Sequence, residues 1–409
     1  MNLFVIGQSV SMVGSRISHI AVGFSVYRES QNVSAFSLIL FLSYLPNILS
    51  SLFGGALVDR SNFRFIFGVG NLVLGLLTIL AGMSLFLNGS GVDGSTQWII
   101  YILVFVTAGI GALQWIGLNS FLPAVFSGDD LSRYNGYFST ANSFAGLLAP
   151  PMAGMLSSWV SLQSILIFDG ITFLLSSIVV FLFFNSGAKQ TKNSKSVGYF
   201  REVTEGFEYL RRNAVVLQII ALFSVSNFFA GISTNLSTPL FLERYSSETT
   251  GIVLAAIAFG SLFVGFLQST HPDTMRAIKT LHVPMALIAI ANIAVGIFND
   301  WLFVFAINFT LGMLLGVIDL KAKVMLQESV GAEYRGRVFA TARGLSWICF
   351  PAAQLVCAIL ARQSISDLFH FTSKSQFLGS LLILANGFGL ATVFALQHFI
   401  QRKISKKAA

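Results

Sequence analysis

The chain has 409 residues, of which 10% are charged and 55% are hydrophobic, and its formal net charge is +8. A soluble protein normally has about a quarter charged residues, so this chain has too few charges to cover a soluble globule. The composition therefore excludes a soluble protein, and lipid must solvate much of the surface. In a membrane protein a basic excess indicates cytoplasmic loops, so we expect no nucleic-acid partner.

Twelve apolar stretches are long enough to cross a bilayer, for which a helix needs about 20 residues. In chain order they are residues 3–27, 34–58, 65–87, 98–125, 134–157, 162–184, 214–236, 251–268, 283–298, 301–326, 338–361 and 376–400. They predict an all-α integral membrane fold. The predicted domains are a six-helix half at 1–184, a cytoplasmic linker at 185–213, a second six-helix half at 214–400 and a basic cytoplasmic tail at 401–409.

The central linker has two parts. Residues 186–196 are small, polar and basic, as is typical of a flexible tether. Residues 199–212 place Phe200, Val203 and Phe207 on one side of a helix, which predicts an amphipathic helix on the membrane surface. Binding of a partner protein by this helix is the alternative.

The basic residues predict the orientation. Most of the 25 lie in the linker, in the tail and in alternate loops, whereas the opposite loops hold only Arg28, Arg244, Arg362 and Lys374. The positive-inside rule then places both termini and the linker in the cytoplasm. The first apolar run is too long for a signal peptide, so we expect no cleavage.

The sequence offers no motif for enzyme chemistry. It has no clustered histidines or acids, no nucleophile motif, no phosphate loop and no metal-ligand spacing. Cys349 and Cys357 lie eight residues apart in one apolar segment, and we interpret both as small packing residues. We therefore predict no enzyme activity, no metal, no cofactor and no ATP-driven transport by this chain alone.

The two halves resemble each other. The segment from Leu131 (LSRYNGYFSTANSFAGLLAPPMAG) and that from Ala332 (AEYRGRVFATARGLSWICFPAAQ) carry a glycine and a proline at the same offset of 200 residues. The segment from Gly54 (GGALVDRSNFR) has a fainter counterpart from Val264. These matches indicate a duplication of six helices, and transporters commonly place the substrate path between such halves.

These residues resemble the major facilitator superfamily, and in particular its drug:proton antiporter branch with macrolide-efflux and enterobactin-type siderophore exporters. The resemblance lies in GQSVSMVGSRISHIAV from Gly7, GGALVDRSNFR, FDGITFLLSS from Phe168, YFREVTEGFEYLRRN from Tyr199 and LQESVGAEYRGRVF from Leu326. It implies a secondary transporter with helices one, four, seven and ten around a central cavity.

Two motifs take structural roles from this resemblance. The loop motif implies a cytoplasmic gate latch formed by Gly55, Asp59, Arg60 and Arg64, although a plain helix cap with topogenic arginines explains the same residues. In helix five Ala145, Ala149, Pro150, Ala153 and Gly154 stand at the positions of a glycine-rich antiporter motif, with alanine at three glycine positions. Small residues and a proline suit a close, kinked helix pair.

Polar groups at membrane depth are costly, which makes each one a candidate for function. The candidates for the cargo and proton path are Arg16, His19, Gln114, Trp115, Asn119, Asp169, Asn227, Asn235, Asp319 and Arg343. Asp319 is the first acidic candidate for proton coupling, and an ion pair with Lys323 is its structural alternative. For Lys321 and Lys323 the alternative is snorkelling to the interface, and for Asp169 it is bonding to neighbouring backbone or hydroxyl groups. For His19 the alternative is a packing role, and for Arg343 it is pairing at the cytoplasmic gate.

The basic excess among these helix charges favours anionic cargo. We predict proton-coupled efflux of small amphipathic molecules, drugs or secreted metabolites such as siderophores, by a monomer in the bacterial inner membrane. The expected partners are cargo, protons and membrane lipid. A lipid or lysolipid flippase of the same fold is the alternative, and a membrane enzyme or a transporter-like sensor is a more distant one.

Overall fold

The computed structural model describes residues 2–88, 94–125, 128–183, 208, 210–211, 213–270, 282–330, 335–360 and 373–408. In these ranges it contains twelve α-helices and no β-strand, which confirms the predicted all-α fold. The helices are α1 (Asn2–Ser30), α2 (Val33–Arg60), α3 (Gly70–Leu87), α4 (Gly94–Val125), α5 (Gly128–Trp159), α6 (Leu162–Phe183), α7 (Ala214–Arg244), α8 (Ser247–Thr270), α9 (His282–Ile297), α10 (Trp301–Ser329), α11 (Arg335–Leu360) and α12 (Lys374–Ala408).

Among the described residues, seven helices satisfy a strict length and hydropathy test for crossing a membrane: α2, the segment leading into and including α3, α4, α6, α8, α10 and α12. Two more segments, Val283–Ile297 and Gly344–Ile359, are apolar but shorter. The remaining helices include α1, α5 and α7, and α1 and α5 carry some of the polar residues that bear on function below.

Several helices run beyond the predicted apolar cores. The helix α7 continues to Arg244 with Pro239 inside it, where the apolar pattern predicted an end at 236. The helix α12 continues through the basic segment to Ala408, so residues 401–408 are helical rather than a separate tail. Hydropathy detects only the lipid-embedded part of a helix, and these helices continue past it. The predicted amphipathic helix at 199–212 lies outside the described residues, apart from isolated positions.

The chain divides into two compact units. The N-terminal unit comprises Met1–Asn193 and Tyr245–Ala255, and the C-terminal unit comprises Ser194–Arg244 and Ala256–Ala409. The first division falls inside the predicted linker. The first turns of α8 group with the N-terminal unit, which the predicted boundary at 214 did not anticipate.

The same pattern of helix pairs recurs inside each unit. In the N-terminal unit α1 packs on α5 and on α6, and α3 packs on α6. In the C-terminal unit α7 packs on α11 and on α12, and α9 packs on α12. Adding six to each helix number converts the first set into the second, so the packing agrees with the duplication that the sequence indicates.

Matching glycine pairs mark one of these repeated contacts. A Cβ atom built on Gly75 of α3 would lie 2.9 Å from the carbonyl oxygen of Gly170 on α6, and the reverse distance is also 2.9 Å. Gly296 of α9 and Gly379 of α12 show the same two distances, 2.9 Å each. Only glycine allows two helix backbones to approach so closely. Both units therefore hold their equivalent helix pairs together in the same way.

The start of α3 departs from α-helical geometry. Residues Arg64–Val69 form a π-helical turn, in which the N–H of Gly70 bonds to the carbonyl of Phe65 five residues earlier. Phe63 precedes this turn and Phe67 lies within it, and both pack with Phe4 and Phe121 in an aromatic cluster. Such turns occur mostly as single turns within α-helices, and they are frequent at functional sites.

Candidate functional site

The helix α1 carries different residues on two of its faces. Small side chains lie against α6: a Cβ on Gly7 would contact Ser176, the hydroxyl of Ser11 donates to the carbonyl of Thr172 at 3.1 Å, and Gly14 faces Asp169. Arg16 and His19 point away from that contact, toward α5 and α4. Polar residues of α1 are thus separated into a packing face and a face that carries ionisable groups.

Arg16 lies at the middle of α1 and its side chain is exposed. Its guanidinium donates to Oδ1 of Asn142 on α5 at 2.8 Å. The phenol of Tyr44 on α2 is close enough to interact with its charge. No carboxylate pairs with Arg16 anywhere in the described part of the chain. The result is an exposed cation at mid-helix whose protein partners are neutral.

His19 connects this face to α4. Its Nε2 lies 3.1 Å from Oγ1 of Thr107. Thr107 begins a row of residues spaced four apart on α4, which continues with Gly111, Trp115 and Asn119. Gly111 has no neighbouring atom within 4 Å of its would-be Cβ, Trp115 is 48% exposed, and Asn119 is exposed with its amide bonded to its own helix. We call Arg16, His19, Tyr44, Trp115 and Asn142 the polar face of the N-terminal unit.

Gln114 lies outside the polar face, although it is next to Trp115 in sequence. Its side chain is buried and donates to Oδ1 of Asn71 on α3 at 2.7 Å. Gln8 on α1 donates to Gln114 at 3.3 Å, and Asn71 donates to Gln8 and to Ser176 on α6 at 3.2 and 3.1 Å. Four helices are therefore joined by one buried amide network, and the sequence identified only Gln114 of its members.

The π-helical turn serves the same network. The carbonyl of Ile66 accepts from Gln114 at 3.4 Å, and the carbonyl of Gly68 accepts from the hydroxyl of Ser177 at 2.7 Å. A π-helical turn shifts the regular bonding of its carbonyl groups, and here two of them bond to side chains on neighbouring helices.

Asp169 is 4% exposed between α6 and α1. Ser18 donates to its carboxyl group, and the other oxygen, Oδ1, has no hydrogen-bond partner and lies 2.9 Å from the would-be Cβ of Gly14. The structure therefore places Asp169 of α6 against the packing face of α1, on the opposite side of α1 from Arg16.

In the C-terminal unit the predicted path residues fall into two groups. Asn227 donates to the carbonyl of Ser346 on α11 at 3.0 Å, and Asn235 donates to Gln354 on the same helix, so both join α7 to α11. Asp319 is exposed on α10, and no hydrogen bond or ion pair ties it to the described residues. The side chains of Lys323 and Arg343 lie outside what the structure describes.

The gate motif is described in part. Arg60 is exposed at the end of α2, and Arg64 donates to the carbonyl of Phe181 near the end of α6 at 2.8 Å. Basic groups suit the carbonyl end of a helix, so Arg64 ties the start of α3 to α6. The side chain of Asp59 lies outside the described set, as do the surroundings of Gly55, and the latch role of the motif stays a prediction.

The helix-five motif forms a close contact between two helices. A Cβ on Gly154 would collide with the backbone of Ser247 at the start of α8, and a Cβ on Gly251 would collide with the carbonyl of Pro150. Ala149 and Ala153 are fully buried against other helices. Small residues at these positions thus allow the backbone of α5 to touch that of α8.

The described residues contain no group of three or more histidines, cysteines or acids placed to hold a metal ion. The polar face instead combines a cation, an imidazole, one phenol, one amide and an exposed indole. Such a set binds and orients a molecule that has a charged and an aromatic or apolar part. The described chain is that of a multi-pass membrane protein, because seven of its helices are long and apolar enough to cross a bilayer.

Comparison with known proteins agrees with this class. The model of the Major Facilitator Superfamily matches residues 4–353. Macrolide efflux protein A of Streptococcus pyogenes is 23% identical over 365 residues, which are 87% of this chain and 87% of that protein. The putative bacilysin exporter BacE of Bacillus subtilis is 22% identical over 326 residues, 76% of this chain and 74% of the relative.

Solved structures show the same fold. The nucleoside transporter NupG superposes with a TM-score of 0.68 at 11% identity, covering 98% of this chain and 99% of its own. A bacterial homologue of the iron transporter ferroportin gives 0.67 at 13% identity, with 97% and 98% covered. The protein is a multi-pass membrane transporter rather than an enzyme. It belongs to the Major Facilitator Superfamily.

Proposed function

We propose that the protein is a proton-coupled exporter of small amphipathic molecules that carry negative charge, acting as a monomer in the bacterial inner membrane with both termini in the cytoplasm. Two relatives named for efflux or export support the direction of transport. The basic loops support the orientation. Lipid surrounds the helices, and cargo and protons are the species that move.

Arg16 is the observation that carries the proposal. A guanidinium at the middle of a membrane helix is expensive to expose to lipid, and such groups face a water-filled cavity or the bundle interior. Arg16 is exposed and bonded only to neutral groups of the described chain. A carboxylate on the cargo would neutralise the charge of Arg16, and a guanidinium binds carboxylates through two parallel hydrogen bonds. Trp115 would contact the apolar part of the cargo.

Asp319 is our candidate for proton coupling. Its carboxyl group is exposed on α10 and has no cationic partner in the described chain. A carboxyl group without a permanent ion pair is free to bind and release a proton as its surroundings change. Asp169 is packed between helices, where protons reach it less easily, so it is our second candidate for proton coupling.

The experiment is substrate-driven proton flux in proteoliposomes that contain a pH-sensitive dye. The cargo panel is one carboxylate siderophore and one cationic macrolide. We expect proton movement with the carboxylate compound, loss of that movement in Asp319→Asn, and at least a tenfold loss of carboxylate transport in Arg16→Gln, because a charge-assisted bond is removed.

Two matched variants serve as controls. Asp300→Asn makes the same change at the N-cap of α10, where Asp300 accepts from Leu302 and Phe303 and asparagine caps equally well. Arg133→Gln removes an exposed arginine that contacts Tyr137 of its own helix. Transport of the macrolide alone would refute the anionic cargo, and wild-type proton flux in Asp319→Asn would refute the coupling role.

A further inference from the structure

A cavity of about 290 Å³ lies at the opposite end of α1 from its N-terminus, between the ends of α1 and α5 and the start of α6. Phe24, Leu162 and Ile165 are buried around it and give it an apolar floor. Arg28, Glu29 and Ser161 are exposed at its rim. Ligand pockets usually start near 300 Å³, so this cavity suits a small ligand. All of these residues belong to the N-terminal unit.

Two polar groups that line the cavity have no hydrogen-bond partner among the described residues. Gln163 is only 5% exposed, and the structure gives its amide no hydrogen bond to the described chain. The hydroxyl of Ser157 is also buried without a partner. A buried hydroxyl group without a hydrogen bond is destabilising, and native proteins rarely leave one unsatisfied. Both groups line the cavity, where a ligand could satisfy them.

One side of the cavity favours an anion. The first intrahelical bond of α6 is donated by Ile165 to Ser161, so the N–H groups of Leu162, Gln163 and Ser164 precede it at the positive end of the helix dipole. Arg28 has no ion pair with any described residue. A helix N-terminus together with an arginine and hydroxyl groups is a favourable setting for a carboxylate.

The other side favours a cation. Glu29 is next to Arg28 and also lines the cavity. A carboxylate accepts several hydrogen bonds at once, so Glu29 can receive an ammonium group whatever else it contacts. A ligand with only negative charge would be repelled by Glu29, and a ligand with only positive charge would be repelled by Arg28.

We propose that this cavity is a binding site for a small zwitterion that carries a carboxylate and an ammonium group, such as a free amino acid. The carboxylate binds Arg28 and the start of α6, the ammonium group binds Glu29, and Gln163 and Ser157 bond to the polar atoms between them. The site is separate from the polar face that contains Arg16, and it does not depend on the nature of the exported cargo.

The test is isothermal titration calorimetry on the full chain in lipid nanodiscs, with glycine, L-serine and L-glutamine as zwitterions and acetate and methylamine as half-ligands. We expect saturable binding of at least one zwitterion and weaker binding of both half-ligands. Gln163→Leu and Arg28→Gln should each weaken zwitterion binding about tenfold or more. Glu29→Gln should weaken it as well and improve binding of acetate.

Two controls separate this site from other effects. Gln97→Leu removes a glutamine that bonds to Tyr101 on α4, outside the cavity, and should leave binding unchanged. Arg133→Gln removes an exposed arginine that bonds to Tyr137 on α5, outside both the cavity and the polar face, and should also leave it unchanged. Arg28 is exposed, which makes Arg28→Gln informative even if Gln163→Leu folds poorly. Absence of saturable zwitterion binding, or undiminished binding in Arg28→Gln, would overturn the proposal.

Discussion

Polar side chains within the membrane helices are held in two different ways. Gln8, Asn71 and Gln114 bond to one another across helices, whereas Arg16 bonds to a neutral amide and remains exposed. The first arrangement satisfies the side chains internally, as the absence of water in lipid requires. The second leaves bonding capacity for another molecule. Whether a polar residue is structural or functional therefore depends on its partners rather than on its chemical type.

Gln114→Leu should destabilise the protein by about 1–3 kcal/mol, because Gln8 and Asn71 lose a partner in a buried site. A lower midpoint of thermal unfolding in detergent would show it. Asn119→Leu is the matched control on the same helix, since that amide is exposed and bonds only to the carbonyl of Trp115. Equal midpoints for the two variants would mean that the network contributes little stability.

The sequence identifies single polar residues but not their partners. Gln114 and Asn119 lie on one helix of similar composition, and both were predicted as path residues. The structure buries Gln114 and exposes Asn119. The partners of Gln114 are Asn71 and Gln8, which come from other helices, and no local sequence pattern relates those helices to α4. Asn142 and Tyr44 were missed for the same reason. Their only sequence signal is a polar group inside an otherwise apolar span.

Some helix contacts in this protein depend on particular glycines. The sequence contains 36 glycines and does not show which of them lie at such contacts. Gly170→Ala should lower stability by about 1–3 kcal/mol, because a methyl group there would meet Ile79 and the carbonyl of Gly75. Gly387→Ala on α12 is the control, since nothing lies within 4 Å and alanine favours a helix. A thermal midpoint that falls only in Gly170→Ala would confirm the contact, and a fall in both would point to a general effect of the methyl group.

Arg244 fixes the end of α9. Its guanidinium donates to the carbonyl groups of Val295, Gly296 and Phe298 at 2.8–2.9 Å and to Ser375 on α12 at 3.1 Å. Val295 and Gly296 lie in the last turn of α9, and Phe298 follows the end of that helix, so these carbonyls have no further helical N–H to bond. The positive-inside rule assigned Arg244 only to an outer loop, and its structural role could not be seen without the helix ends.

Arg244→Gln should therefore lower the thermal midpoint strongly, because several charge-assisted bonds of about 1.5–3 kcal/mol each are lost. The thermal midpoint of Arg244→Lys should lie between those of Arg244→Gln and the wild type, since an ammonium group cannot reach several carbonyls in the same fork geometry. A thiol-reactive dye can follow unfolding through the buried Cys357, in a Cys349→Ser background. No difference between Lys and Gln would argue against the forked contact.

At the scale of the whole molecule, the sequence predicted the twelve helices and their duplication correctly, because both depend on hydropathy and on repeated spacing. It did not predict that Tyr245–Ala255 would group with the N-terminal unit. That grouping depends on the contact of Gly154 with the start of α8, which is a property of backbone approach. Patterns of single residues do not reveal such contacts.

The orientation in the membrane can be tested with two engineered cysteines in a background without Cys349 and Cys357. We expect an impermeant maleimide to label Ser246→Cys in intact cells, since this residue is exposed between α7 and α8. Ser61→Cys, between α2 and the π-helical turn, should label only after the cells are permeabilised. The reverse pattern would invert the proposed topology.

The π-helical turn at Arg64–Val69 has a consequence for every residue that follows it on α3. A π-helical turn contains one residue more than the α-helical turn it replaces, and one residue corresponds to about 100° of rotation around a helix axis. The angular phase of α3 is therefore offset from that of the segment before it. At this phase Asn71 donates to Gln8 and accepts from Gln114. Deletion of a single residue from the turn would restore a regular helix and rotate Asn71 away from its partners. The extra residue therefore determines the direction in which the side chains of α3 point.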